Sequence, residues 1–373
     1  MDITPFFKLM VEKGASDLFF SVGAPPNIKI EGITSPIGQA PIKSQQMSEI
    51  ALSIMSDEQQ KEFDANMELN MAFTVNAVGR FRVNLFKQRG EIAMVVRYIK
   101  GEIPSIEELG LPLVLKTIMM ELRGLILVVG ATGSGKSTTL ASMINYRNEN
   151  HRGHILTIED PIEYLHQHKK SIVDQREVGI DTLNYENALK NAMREAPDVI
   201  LIGEIRDRNA MKHAIAYAET GHLCISTLHA NNANQALDRV INFFPEDAKQ
   251  QLLMDLSLNL RAIISLRLIP GIANHRVSAV EILLNSPYIS DLIDKGKVDE
   301  IKEVMARSNE QGMQTFDQAL LALYKEGKIT KENAIKYADS KNNVGLQIRL
   351  NEEHDFDGEQ EHLTIQPDDI DKI

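Results

Sequence analysis

The spacing of apolar positions changes character along the chain. From residue 1 to about 100 it is mixed. Ile3 to Lys13 has helical spacing, while Asp17 to Val22 and Asn27 to Glu31 read as strands about a Gly-Ala-Pro-Pro turn. Ser44 to Asp64 reads as two short helices, the second opened by Ser56-Asp57-Glu58. Met71 to Val75, Gly79 to Lys87 and Ile92 to Ile99 read as strands. In GRFRVNLFKQRG basic and apolar residues alternate, so a strand there buries one face and projects Arg80 and Arg82 together from the other. These elements predict a small α+β domain.

Residues 101–116, GEIPSIEELGLPLVLK, hold two prolines and two glycines and read as an interdomain linker. Beyond them the pattern becomes one of continuous apolar runs followed by amphipathic helices. The runs are LILVVG (125–130), HILTIED (154–160), DVILIGE (198–204), HLCISTLH (222–229) and RVSAVEILL (276–284). β-rich runs separated by helices predict a mostly parallel sheet covered on both faces, with ligands beyond the carboxyl ends of the strands. Residues 291–345 read as helical, with turns at Gly296, Gly312 and Gly327, and 346–373 as an acidic, disordered tail. The expected domains are therefore 1–100, 117–290 and 291–345, with the linker and the tail besides.

Composition narrows the choice of function. A chain of 373 residues exceeds what one core usually holds, and 43% hydrophobic with 25% charged residues suits a globular protein. No apolar run approaches the roughly 20 residues of a membrane span, and the N-terminus does not read as a secretory signal. The expected location is cytoplasmic. The single cysteine, Cys224, excludes an intrachain disulfide and a cysteine-rich zinc site, and its apolar setting reads as a buried small hydrophobe. A net charge of −12 argues against nucleic acid as a partner.

The chemistry lies at the ends of the apolar runs. GATGSGKS matches G-x-x-x-x-G-K-[ST], follows a strand and opens a helix, the context of a P-loop. Gly130, Ala131, Thr132, Gly133, Ser134 and Gly135 would wrap the phosphates of ATP with backbone N–H groups. Lys136 would reach the β- and γ-phosphates, Ser137 would ligate Mg²⁺, and Thr138 follows in the first helical turn. DVILIGE is a buried strand ending at Glu204, an acid placed to hold Mg²⁺ directly or through water, or to orient the attacking water. The usual acid at such a strand end is Asp; this chain has Gly203-Glu204. TIEDPIEY sets Glu159, Asp160 and Glu163 past the preceding run, where a carboxylate can polarise water. TGHLCISTLHAN places His222 and His229 at opposite ends of one strand, with His229 on the nucleotide side and His222 suited to ordering the core or an interface. Arg80, Arg82 and Arg97 offer positive charge for phosphoryl transfer, although a solvated basic face fits the same spacing.

In this order the P-loop (GATGSGKST), the acidic box (TIEDPIEY), the Walker B strand (DVILIGEIRD) and the histidine box (TGHLCISTLHANNA) closely resemble the secretion and type IV pilus ATPases. The resemblance covers roughly residues 1–345, and ASDLFFSVGAPPNIKIEG looks like that family's PAS-like domain. It implies an α/β fold, in which a PAS-like α+β domain precedes a RecA-like P-loop ATPase domain and C-terminal helices. One cysteine cannot form the four-cysteine zinc site usual in assembly ATPases, and EQGMQTFDQALLALYKEGKIT is similar to the retraction motors. Where the principal retraction motor carries a block close to AIRNLIRE, Tyr288 to Lys295 reads YISDLIDK. That departure, with the acidic tail, resembles the accessory retraction branch.

The resemblance further implies a homohexameric ATP-hydrolysing motor at the inner-membrane base of the pilus machine, associated with the membrane only peripherally. Its partners would be a paralogous retraction ATPase and the inner-membrane platform protein. Nucleotide would lie between the N-terminal and P-loop domains, with Glu204 and Glu163 as catalytic acids and Arg80, Arg82 and Arg97 on phosphate. The alternative is a ring subunit that binds ATP but mainly scaffolds or regulates its paralogue.

Overall fold

In the computed structural model, which describes residues 3–30, 32–76, 78–99, 101–272, 275–308 and 312–360, the alternating stretch around Arg80 is a strand whose inward residues Phe81, Val83 and Leu85 are fully buried. It is the fifth of six N-terminal strands: β1 (Asp17–Ser21), β2 (Asn27–Ile30), β3 (Ile33–Pro36), β4 (Glu68–Val75), β5 (Gly79–Gln88) and β6 (Glu91–Ile99). They form one sheet in the order β3-β2-β1-β6-β5-β4, every neighbouring pair antiparallel. All four residues of β3 are exposed, which is why no alternation announces it. Glu31, expected at the end of the second strand, lies outside the described residues.

Helices Thr4–Glu12, Ser44–Ile54 and Asp57–Asn66 supply the other side of this core. The last begins with a reciprocal cap: Gln59 N donates to Ser56 Oγ at 3.3 Å and Ser56 N to Gln59 Oε1 at 2.9 Å. Phe7 stacks on Phe81 with ring centroids 4.8 Å apart, tying the first helix to β5.

The remaining strands are β7 (Gly124–Gly130), β8 (His154–Glu159), β9 (Ile172–Glu177), β10 (Val199–Ile202), β11 (Leu223–Leu228), β12 (Leu260–Pro270) and β13 (Arg276–Leu284). The chain divides into two compact units. One is Met1–Pro104 with Asn148–Gly203, and the other is Ser105–Arg147 with Glu204–Ile373. The step from Pro104 to Ser105 falls within the stretch expected as a linker.

In the first unit β10, β8 and β9 lie side by side in that order, all parallel. In the second the order is β13-β12-β7-β11, with β7 parallel to both β11 and β12. Every residue of β7, β10 and β11 is buried, as continuous apolar runs require of strands covered on two faces. The run RVSAVEILL is not part of the parallel set. It returns antiparallel along β12, because the two strands are joined by a short loop with no crossover helix.

C-terminal helices Phe316–Lys325, Lys331–Tyr337 and Lys341–Gln360 enclose a second small core around Phe316, Leu320, Val344 and Ile348. The last of them covers residues 346–360 of the stretch expected to be disordered, and 361–373 lie outside the described residues. Among the described residues no helix is long and apolar enough to cross a membrane.

Candidate active site

The P-loop joins β7 to the helix Lys136–Asn150. Its shape depends on glycine at two points. A Cβ on Gly130 would stand 2.4 Å from Ser134 Oγ and 2.7 Å from Leu266 O, and Gly135 has φ +94°. The Lys136 ammonium folds back over the loop and donates to Gly130 O at 2.8 Å and Ala131 O at 2.9 Å. It therefore crosses the mouth of the loop, where a phosphate would replace those carbonyls. Ala131, Thr132 and Gly133 are exposed, Ser134 is buried, and Ser137 and Thr138 are half-buried in the first helical turn. A cleft of about 660 Å³ opens over Gly130 and Ala131, with His229, Asn231, Gln235 and Arg239 on its other side.

In the same unit Glu204 is held from two directions. Arg206 Nε donates to its Oε2 at 2.7 Å, and His229 Nε2 lies 3.3 Å from its Oε1. The structure thus brings together the two residues singled out from the Walker B strand and the histidine box. His222, at the other end of β11, lies with Nδ1 3.1 Å from Thr220 Oγ1 and 3.2 Å from Tyr217 O, closing the end of the helix Arg208–Glu219. Its surroundings are structural. Cys224 is wholly buried and desolvation pushes its thiol up, as expected of a core cysteine.

The first unit carries the acidic box. Glu159 ends β8, and its Oε1 accepts from Thr157 Oγ1 at 2.6 Å and Gln175 Nε2 at 3.2 Å. Burial, reinforced by the neighbouring carboxylates of Glu163 and Glu177, pushes its carboxyl up to about 7. Asp160 and Glu163 themselves are exposed. Gln175 continues the chain of contacts, donating to Tyr164 O at 2.9 Å and accepting from His166 N at 2.8 Å.

Gly203, which follows β10, is crowded. A Cβ there would meet Tyr185 Oη at 2.8 Å, Ile158 O at 3.1 Å and the Glu159 Cα at 3.2 Å. Glycine suits this crowded position, and the acid of the strand end is Glu204, the next residue.

The three arginines are not equivalent. Arg82 Nε lies 3.9 Å from Glu177 Oε1, a carboxylate only 1% exposed. Burial raises the Glu177 carboxyl, while Arg82 and Arg80 act to lower it. Arg80 Nε is buried with no hydrogen-bond partner among the described residues. Arg97 is exposed and donates from Nε to Asp17 Oδ1 at 2.9 Å, across the β1–β6 pair in which the two residues are register partners. The structure therefore draws Arg80 and Arg82 toward Glu177 and ties Arg97 to Asp17. Glu177 and Gln175 went unnoticed in the sequence because β9, IVDQRE, is too polar to stand out as a buried strand.

With this geometry in place, comparison with known proteins is decisive. Residues 2–355 match the family described as Type II/IV secretion system protein. The chain belongs to this family. It is 54% identical over 358 residues to the type IV pilus ATPase PilU of Pseudomonas aeruginosa, covering 96% of this chain and 94% of that protein. It is 43% identical over 334 residues to the same organism's pilus retraction ATPase PilT, covering 90% and 97%. Among solved structures, the pilus retraction motor PilT with bound ADP superposes with a TM-score of 0.85 at 42% identity, covering 91% of this chain and 98% of that one. The fold is accordingly the family's: an N-terminal α+β domain followed by a RecA-like ATPase domain.

Proposed function

We propose that this family member is an ATP-hydrolysing motor that powers type IV pilus retraction, and hence twitching motility, as an accessory to a paralogous retraction ATPase. The observation that carries the proposal is the pairing of Glu204 with His229 in the unit that holds the P-loop and Lys136. Lys136 would leave its two carbonyls for the β- and γ-phosphates. Glu204 and Glu163 would act as the catalytic acids, with His229 sensing the γ-phosphate beside Glu204. The higher identity to PilU than to PilT favours the accessory role.

Mg²⁺ fits the donor set. Among the described residues no cluster of three or more His, Cys, Asp or Glu forms a metal cage, so the ion would be held by Ser137 Oγ, nucleotide phosphates and water, a shell of hard oxygens. Both Glu204 oxygens already have partners, which suits contact through water. Bound there, the ion would neutralise charge on the phosphates. Arg80, Arg82 and Arg97 would add phosphate contacts once freed from Glu177 and Asp17. The working assembly would be a homohexamer at the cytoplasmic base of the pilus machine, acting on the inner-membrane platform protein and not on nucleic acid.

The test is retraction in cells lacking this protein but keeping the paralogue, complemented with wild type or Lys136→Ala. Rescue by wild type alone supports the motor. Equal rescue by both, with ATP turnover lost in the purified variant, would replace it with the scaffold role.

A further inference from the structure

β13 carries one acidic residue, Glu281, between the apolar residues Val280 and Ile282, and it is 2% exposed. An apolar side chain would sit in that interior at lower cost, since a buried carboxyl must be compensated by hydrogen bonds. Its Oε1 receives two: from Ser265 Oγ at 3.0 Å, the register partner across the β12–β13 pair, and from Ala233 N at 2.8 Å. Ala233 is the first residue of the helix Ala233–Asn242, four positions after His229. The turn between them has further anchors. Asn232 Oδ1 accepts from Gln235 N at 2.9 Å, and Arg267 Nη2 donates to Asn231 O at 3.3 Å. Arg267 in turn pairs with Asp339 at 2.7 Å, and Asp339 with Lys302 at 2.6 Å. The Glu281 contact takes up the first N–H of the helix itself, and it does so from a strand of the sheet.

We infer that Glu281 is a positioning residue for ATP hydrolysis: it fixes the turn 229–233 to the sheet and so holds His229 against Glu204. The inference rests on the role given to His229 above. Small displacements of a catalytic side chain are costly even when they originate outside the site. Loss of the anchor should therefore appear in kcat and leave nucleotide affinity nearly unchanged.

The experiment is a mutant cycle on the full-length chain, with ATPase kcat and KM measured for Glu281→Ala, His229→Ala and the double variant. Glu281→Ala should lower kcat about tenfold with KM within about twofold, and should have no further effect in the His229→Ala background. Glu281→Gln keeps the acceptor oxygen and should recover kcat to within about twofold of wild type. Ala233→Pro removes the N–H donor at a first-turn position where proline is favoured, and adds ring carbons at a buried residue. It should reproduce the loss, and it replaces Glu281→Ala in the cycle if that variant does not fold. If the losses at 281 and 229 multiply, the inference is overturned while His229 keeps its role. If His229→Ala leaves kcat unchanged, the role of His229 falls and the inference with it.

Discussion

Replacing Glu159 with Gln should change how stability depends on pH, and the sign follows from the structure. In the native chain this carboxyl is pushed from its ordinary 4.5 to about 7 by burial and by the carboxylates of Glu163 and Glu177, against hydrogen bonds from Thr157 and Gln175. Between those two values the native chain binds more protons than the unfolded one. Stability must therefore fall as pH rises through the window, the reverse of a salt-bridged acid. Fully buried, the span would be worth about 3 kcal/mol; the residue keeps partial exposure, and solvent screening brings the working figure to about 1–3 kcal/mol. Glutamine keeps the acceptor for Thr157 and Gln175 and cannot ionise. The melting temperature of Glu159→Gln relative to wild type should thus rise by about 1–4 °C from pH 4.5 to pH 8. Taking the difference between the two proteins cancels titrations of groups distant from Glu159. A difference that stays flat, or that falls with pH, would refute the assignment of a near-neutral carboxyl at the end of β8.

Lys136→Ala should reduce ATP turnover at least about 100-fold, because the charge poised over the loop is lost; a coupled phosphate-release assay reads this directly. Gly203→Ala should destabilise the chain by about 1–3 kcal/mol and depress kcat, since its Cβ would press on two backbone atoms and on Tyr185 Oη; Tyr185→Phe, which removes the nearest contact, should restore part of the loss in a thermal melt. Arg82→Ala leaves the buried Glu177 with Arg80 as its remaining nearby cation and should cost about 1–3 kcal/mol, whereas the same change in a Glu177→Gln background should cost less.

What the sequence made legible follows from how strongly each feature is forced. β7, β10 and β11 are apolar throughout because both faces are covered, and such runs announce themselves. The P-loop is legible for the same reason: few sequences can wrap a phosphate. By contrast β3 is exposed along its length and β9 is half polar, so neither carries a period, and the buried partner of Arg82 stayed hidden with β9. β12 escaped notice although its sequence, LRAIISLRLIP, is largely apolar, because it follows the helix Glu246–Asn259 without a breaking residue.

Gly203 and Glu281 show a finer limit. Both depart from their surroundings, a glycine between an apolar strand and Glu204, and an acid in the largely apolar run RVSAVEILL. The departures could be seen in the sequence, yet their causes are three-dimensional: the backbone of β8 and the ring of Tyr185 lie against Gly203, and a helix start lies above Glu281. The same crowding bears on the catalytic assignment. With the position before it crowded by Tyr185 Oη and the backbone of β8, the carboxylate that follows the strand Val199–Ile202 comes from Glu204. That acid is also the one within reach of His229. Substituting Asp for Glu204 would shorten the reach by one methylene and strain the contacts to both Arg206 and His229, so the loss in kcat for Glu204→Asp should approach that of Glu204→Gln. A Glu204→Asp enzyme with near wild-type kcat would mean that charge alone, and not the placement enforced by Gly203, is what this strand end supplies.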